Sequence, residues 1–174
     1  MTRLFFLFIL PLSLIGLPLI AYAAEQARFE TDPTAPIEIN ADRLDVYRNE
    51  AQAIFLGNVI AIQGPTKMTS HKAILHANQA GDELKTIRAE GDVYLISENG
   101  SQARGDWAEH NVEAQELILG GQVVTLTENG NKLRGTQLFV DMVTGKARLI
   151  SADEQTNGTN RVRGILTIGE EAEK

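Results

Sequence analysis

The sequence contains no cysteine and only three histidines among its 174 residues. Without cysteine the chain cannot form disulfide bonds, so its core and its backbone hydrogen bonds must stabilise the fold. The histidines, His71, His76 and His110, do not show a spacing that suits a metal site. A glycine-rich phosphate loop and a nucleophile elbow are also missing. We therefore expect no metal, no cofactor and no catalytic residue.

Positive charge is scarce as well. The chain has 16 Lys and Arg against 23 Asp and Glu, which gives a formal net charge of −7. A general nucleic-acid binder needs a basic stripe that displaces counterions from the phosphate backbone. The composition therefore argues against a nucleic-acid partner.

The N-terminus predicts export. Arg3 supplies a positive start, residues 4–20 are mostly apolar, and Ala21-Tyr22-Ala23 offers a small-x-small cleavage signal. A retained membrane anchor is the alternative, but the apolar run is slightly short for a span of about 20 residues and is interrupted by prolines. We therefore expect residues 1–23 to be a cleaved signal peptide.

The rest of the chain is long enough for one domain with its own core. Residues 24–36 are polar and contain Pro33 and Pro36, which predicts a flexible lead-in. Residues 169–174 form a charged tail. We expect a single domain over residues 37–168.

The sequence of the domain contains internal repeats. One nine-residue template occurs at residues 39–47, 68–76, 103–111 and 133–141. A Gly-x-Val element alternates with it at residues 57–62, 91–96 and 121–126. A period of this length marks a supersecondary unit that stacks on its neighbours to bury its apolar face. The pair Arg163-Gly164 repeats the start of the template and predicts a fifth, truncated copy over residues 161–168.

Apolar and polar residues alternate within these segments, and Asn-Gly pairs separate several of them, which is typical of strands joined by hairpins. Residues 106–119 have a helical composition, but their alignment with the repeats favours strands. The third template position is always small (Ala41, Ser70, Gly105 and Gly135), which suits a tight bend or a close approach of two backbones. The sequence thus predicts an all-β sandwich, jelly roll or roll of stacked strands.

Apolar side chains fall in phase along successive repeats and form the candidate site. Along an open side of the fold they would line a groove for acyl chains, although a packed core is the alternative. The candidate lipid-binding residues are Ile37, Ile39, Leu44, Val46, Phe55, Val59, Val93, Leu95 and Val123.

An enzymatic alternative rests on two acids that occupy the same position in two copies of the template. Asp42 and Asp106 could serve as a glycosidase pair on an envelope polysaccharide, which needs two carboxyl groups about 5–9 Å apart. Asp at such positions more often satisfies the backbone of a turn, and we favour that role. A third alternative is a purely structural oligomer with a filled core.

The segment Pro36-Ile37-Glu38-Ile39-Asn40-Ala41-Asp42, the hairpin around Phe55-Leu56-Gly57-Asn58-Val59 and the repeated Gly-x-Val elements resemble the OstA-like, or LptA, family of lipopolysaccharide transport proteins. The resemblance covers residues 37 to about 150. It implies a twisted β-jelly-roll of stacked antiparallel strands with an apolar interior groove.

The resemblance also implies a function. Members lie in the periplasm, shield the acyl chains of lipopolysaccharide and associate head to tail between an LptC-like inner-membrane partner and an LptD-like outer-membrane partner. The family's lipid-facing positions match Ile37, Ile39 and Val93 here. The other candidate residues follow from their phase along the repeats.

Overall fold

The structure is a computed structural model that describes residues 29–151 and 161–166. The expected signal peptide, residues 24–28 of the expected lead-in and the charged tail lie outside these residues. Within the described ranges, no helix has the length and apolarity needed to span a bilayer.

Ten strands make up most of the described chain, so the all-β prediction is confirmed. A single turn of 3₁₀ helix, Arg48–Glu50, follows the second strand. The strands are β1 (Ile37–Asn40), β2 (Arg43–Tyr47), β3 (Gln52–Gln63), β4 (Thr66–Ala77), β5 (Leu84–Ser97), β6 (Gln102–Asn111), β7 (Glu116–Glu128), β8 (Asn131–Asp141), β9 (Ala147–Ile150) and β10 (Arg163–Ile165).

All strands belong to one antiparallel sheet in which each long strand pairs with the next along the chain. The template segments lie in β1 and β2 together, β4, β6 and β8, and the Gly-x-Val elements lie in β3, β5 and β7. Both edges of the sheet are split in two. At one edge β1 and β2 pair with different halves of β3, and at the other β10 and β9 pair with different halves of β8.

Each Gly-x-Val element is a β-bulge. The pairing register shifts between Leu56 and Val59 in β3, and a shift recurs at the corresponding points of β5 and β7. A bulge adds a residue to one strand and bends it. These bulges therefore divide every long strand into two halves at the same level of the sheet.

The small third position of the template lies directly opposite the bulges. Val59 pairs with Ser70, Val93 with Gly105, and Val124 with Gly135. A Cβ added to Gly105 would lie 2.8 Å from the carbonyl oxygen of Gly120 on the neighbouring strand. The predicted close approach of backbones is thus confirmed, because a side chain there would push apart the strands that bend together.

Bending at the bulges folds the sheet over on itself into two facing layers. Layer A contains β1, β10 and the halves of β3–β8 that pair with them; layer B contains β2, β9 and the other halves. One core cluster draws on both layers, for example Leu95 and Leu126 from layer A with Leu117 and Leu138 from layer B. The two layers therefore bury each other's inner faces.

Part of the expected lead-in is packed onto the domain, which corrects the prediction of a flexible segment over residues 24–36. Phe29 is 2% exposed and belongs to the core cluster. Its backbone N–H donates to the carbonyl oxygen of Gly145, at 2.9 Å. Because a buried phenylalanine gives the segment an apolar anchor, residues 29–35 cross the molecule as an ordered strap despite their polar composition.

The expected fifth template copy is present only in part. A strand forms over Arg163–Ile165, but it runs antiparallel to β8. The four template segments all run in the direction of β8, since alternate strands of an antiparallel sheet are parallel to each other. The repeated Arg-Gly pair therefore located a strand correctly, although this strand runs opposite to the four template copies.

Candidate functional site

Inward-facing side chains form continuous ladders across the sheet, because residues directly opposite each other on antiparallel strands point to the same face. The first ladder lies in layer B and has one residue on each strand from the β2 edge to the β9 edge. Its members in order are Leu44, Phe55, Ala73, Ala89, Ala108, Leu119, Leu138 and Leu149. It contains the sixth residue of each template copy (Leu44, Ala73, Ala108 and Leu138) with its partners from the intervening strands.

A second ladder runs beside the first in layer B, and a third runs in layer A. The second consists of Val46, Ala53, Leu75, Ile87, His110, Leu117, Val140 and Ala147. The third consists of Ile39, Ala61, Met68, Leu95, Ala103, Leu126 and Leu133. Together the three ladders make an almost wholly apolar interior that extends through the stack.

The ladders are buried over the middle strands, half-buried at the β9 edge and most exposed at the β2 edge. In the first ladder Leu138 and Ala73 are fully buried, Phe55 is half-buried and Leu44 is 49% exposed. In the second ladder Val46 is 60% exposed. The interior is therefore closed over the middle strands and opens at the β2 edge, where inward-facing apolar side chains meet solvent.

Of the predicted site residues, eight face the interior. Val59, Val93 and Leu95 are buried in layer A, whereas Ile37 and Ile39 are half-buried on the edge strand β1. Leu44, Val46 and Phe55 line the open end described above. The inward direction assigned from the repeats therefore holds for residues on four different strands.

Val123 is the exception, and its assignment to the interior is wrong. It lies inside the β7 bulge and is 54% exposed, whereas its neighbour Val124 is fully buried opposite Gly135. The bulges of β3 and β5 contain one extra residue, but the β7 bulge contains two, since Gly120 and Val124 pair with Gln137 and Gly135. The inward valine is consequently shifted by one position.

A hollow adjoins the open end. Its volume is about 610 Å³, within the range of small-molecule sites. The exposed Val46 and Tyr47 line it together with Ala53, Leu75 and Leu84. Arg48, Asp82 and Glu83 also line it, so the hollow combines apolar surface with a few charged side chains.

The middle of the interior holds much less free space. A cavity of about 40 Å³ lies between the layers, lined by Ile37, Met68 and Leu95 from layer A and by His110 and Leu117 from layer B. His110 is 8% exposed. Burial among apolar groups lowers the pKa of its imidazole, because the charged form loses its hydration. His110 is therefore held neutral in the wall of the interior.

The strap, residues 29–35, closes the side of the interior opposite the bulges. The carbonyl oxygen of Glu30 accepts hydrogen bonds from the hydroxyls of Thr66 and Ser97 in layer A, each at 2.8 Å. The Thr31 hydroxyl donates to the carbonyl oxygen of Met142, just beyond the layer B end of β8. The strap thus links the two layers where their free ends face each other.

The acidic column proposed for an enzyme has a structural role instead. The Asp42 carboxylate accepts a hydrogen bond from Asn58 Nδ2 in the β3 bulge, at 2.9 Å. The Asp106 carboxylate accepts one from the backbone N–H of Gln122 in the β7 bulge, at 2.8 Å. Four strand spacings separate Asp42 from Asp106, about 19 Å, which is well beyond the separation of a glycosidase pair.

Three comparisons bear on this architecture. Residues 38–146, more than half of the chain, match the family described as "LptA/(LptD N-terminal domain) LPS transport protein". An uncharacterized protein of Rhizobium meliloti (strain 1021) is 32% identical over 139 residues, which cover 72% of this chain and 75% of the relative.

The third comparison is with a solved structure. The crystal structure of LptH from Pseudomonas aeruginosa superposes with a TM-score of 0.67 at 19% identity, covering 80% of this chain and all of the LptH chain. LptH is described as the LptA-homologous periplasmic component of a conserved lipopolysaccharide transport device. The likeness shows a shared fold.

The folded single sheet with an apolar interior defines an LptA-like β-protein. The chain belongs to the LptA/LptD N-terminal domain family of lipopolysaccharide transport proteins. This is a family of transport proteins rather than of enzymes.

Proposed function

We propose that this protein lies in the periplasm and carries lipopolysaccharide between the inner and the outer membrane, shielding the acyl chains in its interior. The observation that carries the proposal is the run of inward ladders, buried over the middle strands and open at the β2 edge, where Leu44 and Val46 are 49% and 60% exposed. Membership of the lipopolysaccharide transport family supports the same cargo.

Apolar burial supplies the affinity for such a cargo. Each methylene removed from water contributes about 0.8 kcal/mol. Several methylenes of an acyl chain packed against Leu44, Val46 and Phe55 would therefore outweigh the conformational freedom that the acyl chain loses. No covalent step is needed, which agrees with an interior built from aliphatic side chains.

Head-to-tail association explains how the cargo would cross the periplasm. β1 and β2 at one edge and β9 and β10 at the other have no further strand beyond them in the described chain. Such edges add a strand from another chain by backbone hydrogen bonding. A copy added at the β2 edge would continue the inward ladders, and the terminal copies would meet the LptC-like and LptD-like partners.

Photo-crosslinking in cells tests the cargo. A photo-reactive amino acid at Ile39, which faces the interior opposite Ala61, should trap lipopolysaccharide. The matched control is the adjacent Asn40, which faces outward. Equal labelling of lipopolysaccharide from both positions, or labelling of protein neighbours alone from Ile39, would contradict the proposal.

Truncation tests the assembly. Removing the chain after Ser151 deletes β10 and exposes the layer A half of β8. Self-association measured by light scattering should weaken much more than thermal stability, because β10 contributes only three exposed residues to the fold. Oligomers of unchanged size would count against assembly through this edge.

A structural oligomer with a filled core is the second candidate, because the cavity between the layers at Met68, Leu95 and Leu117 measures only about 40 Å³. The two functions differ in their response to lipopolysaccharide. A carrier should show a shift in melting temperature when lipopolysaccharide is added, since a ligand that binds only the folded state stabilises it. A filled oligomer should show none.

A further inference from the structure

The outward face of layer A carries a row of cations. Tyr94, Arg104, Thr125, Arg134 and Arg163 lie opposite one another on successive strands. The next outward row contains Lys67 on β4 and Lys132 on β8. All five cations are exposed, and from β4 to β10 they extend over about 24 Å.

This face differs sharply from the composition of the chain. In these two rows the only acid is Glu38, on the edge strand β1, although acidic residues outnumber basic ones in the sequence. None of the five cations forms an ion pair with an acid of residues 29–151 or 161–166. In layer B, by contrast, the Arg88 guanidinium lies between Glu90 and Glu109, at 3.2 and 2.9 Å.

One contact within the row is unfavourable in the isolated protein. Arg134 and Arg163 are direct cross-strand partners at the β8–β10 pairing. Like charges opposite each other on neighbouring strands destabilise a sheet. An anion bound across the two guanidinium groups would remove this repulsion, so the pair itself indicates a negatively charged partner.

Apolar side chains stand among the cations. Ile62, Ile96 and Ile165 share the second row with the two lysines, and Ile165 is 70% exposed. The Arg104 guanidinium stacks on the Tyr94 ring, 4.5 Å from its centroid. A broad basic face with interspersed isoleucine and tyrosine is suited to a lipid surface, where phosphates meet the arginines and the apolar groups enter the interface.

We propose that the outer face of layer A is a membrane-docking surface for bilayers rich in anionic phospholipid. The extent of the row favours a bilayer over a single small anion, because only a laterally extended array of phosphates can engage cations on four strands at once. Docking through this face leaves the β2 and β9/β10 edges free. The inference does not depend on lipopolysaccharide as the cargo of the interior.

Vesicle flotation of the purified protein tests the proposal. Vesicles of phosphatidylethanolamine and phosphatidylglycerol should carry the protein upward at low salt, and vesicles of phosphatidylcholine should not. Binding should fall as salt is added, because ions screen exposed charges. The triple variant R104Q/R134Q/R163Q should lose on the order of a hundredfold in partitioning, since each cation near an anionic surface contributes about fivefold.

A charge-matched variant provides the control. R43Q/K85Q/R148Q removes two exposed cations and one half-buried cation from other parts of the molecule and should retain at least a tenth of the original partitioning. Thermal melts of both variants would show that each is folded. Absence of binding to phosphatidylglycerol vesicles would refute membrane docking, as would equal losses in the two variants.

A third set of vesicles separates bilayer phosphate from cargo phosphate. Phosphatidylcholine vesicles that contain lipopolysaccharide should bind through the interior and therefore should not discriminate between the two triple variants. Loss of binding in R104Q/R134Q/R163Q with these vesicles alone would assign the face to the cargo and overturn the proposal.

Discussion

Leu44 and Leu138 face the same side of one ladder, yet Leu44 is 49% exposed whereas Leu138 is completely buried. The difference comes from position in the stack: Leu138 has strands on both sides and a facing layer, and Leu44 lies on the edge strand β2. The same kind of side chain is thus part of the core near one end of the ladder and exposed at the other.

Alanine at these two positions should separate the roles. Leu138→Ala should lower the free energy of unfolding by about 2–5 kcal/mol, because it opens a cavity in the core. Leu44→Ala should cost less than about 1 kcal/mol and should instead weaken lipopolysaccharide binding or self-association. Urea denaturation and light scattering measure the two effects. Equal destabilisation by both substitutions would contradict an open β2 edge.

The β5 bulge depends on a glycine. Gly91 has a φ of +82°, and an added Cβ would lie 2.7 Å from Nδ1 of His71 on the neighbouring strand. Gly91→Ala should therefore destabilise the protein by about 1–3 kcal/mol. Gly81→Ala is the control, because Gly81 has a φ of +77° but no neighbouring atom within 4 Å. If the two variants melt together, the contact with His71 contributes nothing.

Asp106 should be replaceable by a neutral acceptor. Asp106→Asn keeps an oxygen that can accept the Gln122 N–H, so stability and transport activity should both remain close to those of the original protein. Asp106→Ala should lose roughly 1 kcal/mol of stability. Complementation of a deletion strain and thermal melts give the two measurements. A folded Asp106→Asn protein that fails to complement would revive the enzymatic alternative.

His110 makes stability depend on pH. Burial lowers its pKa in the folded protein below the usual value near 6.5, so the unfolded chain binds the proton more readily. Stability from this residue is complete above pH 6.5 and decreases as the pH falls through 6.5 toward the folded pKa. His110→Leu should flatten that part of the profile.

The sequence repeats predict much of this architecture. The alternation of template and Gly-x-Val elements correctly predicts strands, including the segment of helical composition at residues 106–119, and the small third position predicts the close approach of backbones at Gly105 and Gly135. Phase along the repeats also places eight candidate residues on the inner face. These features were predictable because each depends on neighbouring strands with regular register.

The errors come from features that break regularity. The extra residue in the β7 bulge moves Val124 into the position expected for Val123, and only the pairing with β8 reveals it. Phe29 is a single apolar residue in a polar segment, so no period marks it as part of the core.

Cysteine protection in vitro tests the central claim most directly. Because the chain has no cysteine, Phe55→Cys and Ile54→Cys each introduce one thiol, facing inward and outward on adjacent positions of β3. Both native side chains are half-buried, so their labelling by a maleimide should be comparable without lipid. Lipopolysaccharide should protect the thiol at position 55 and leave that at position 54 reactive. Equal protection at both positions, or none at position 55, would contradict an interior that holds the acyl chains.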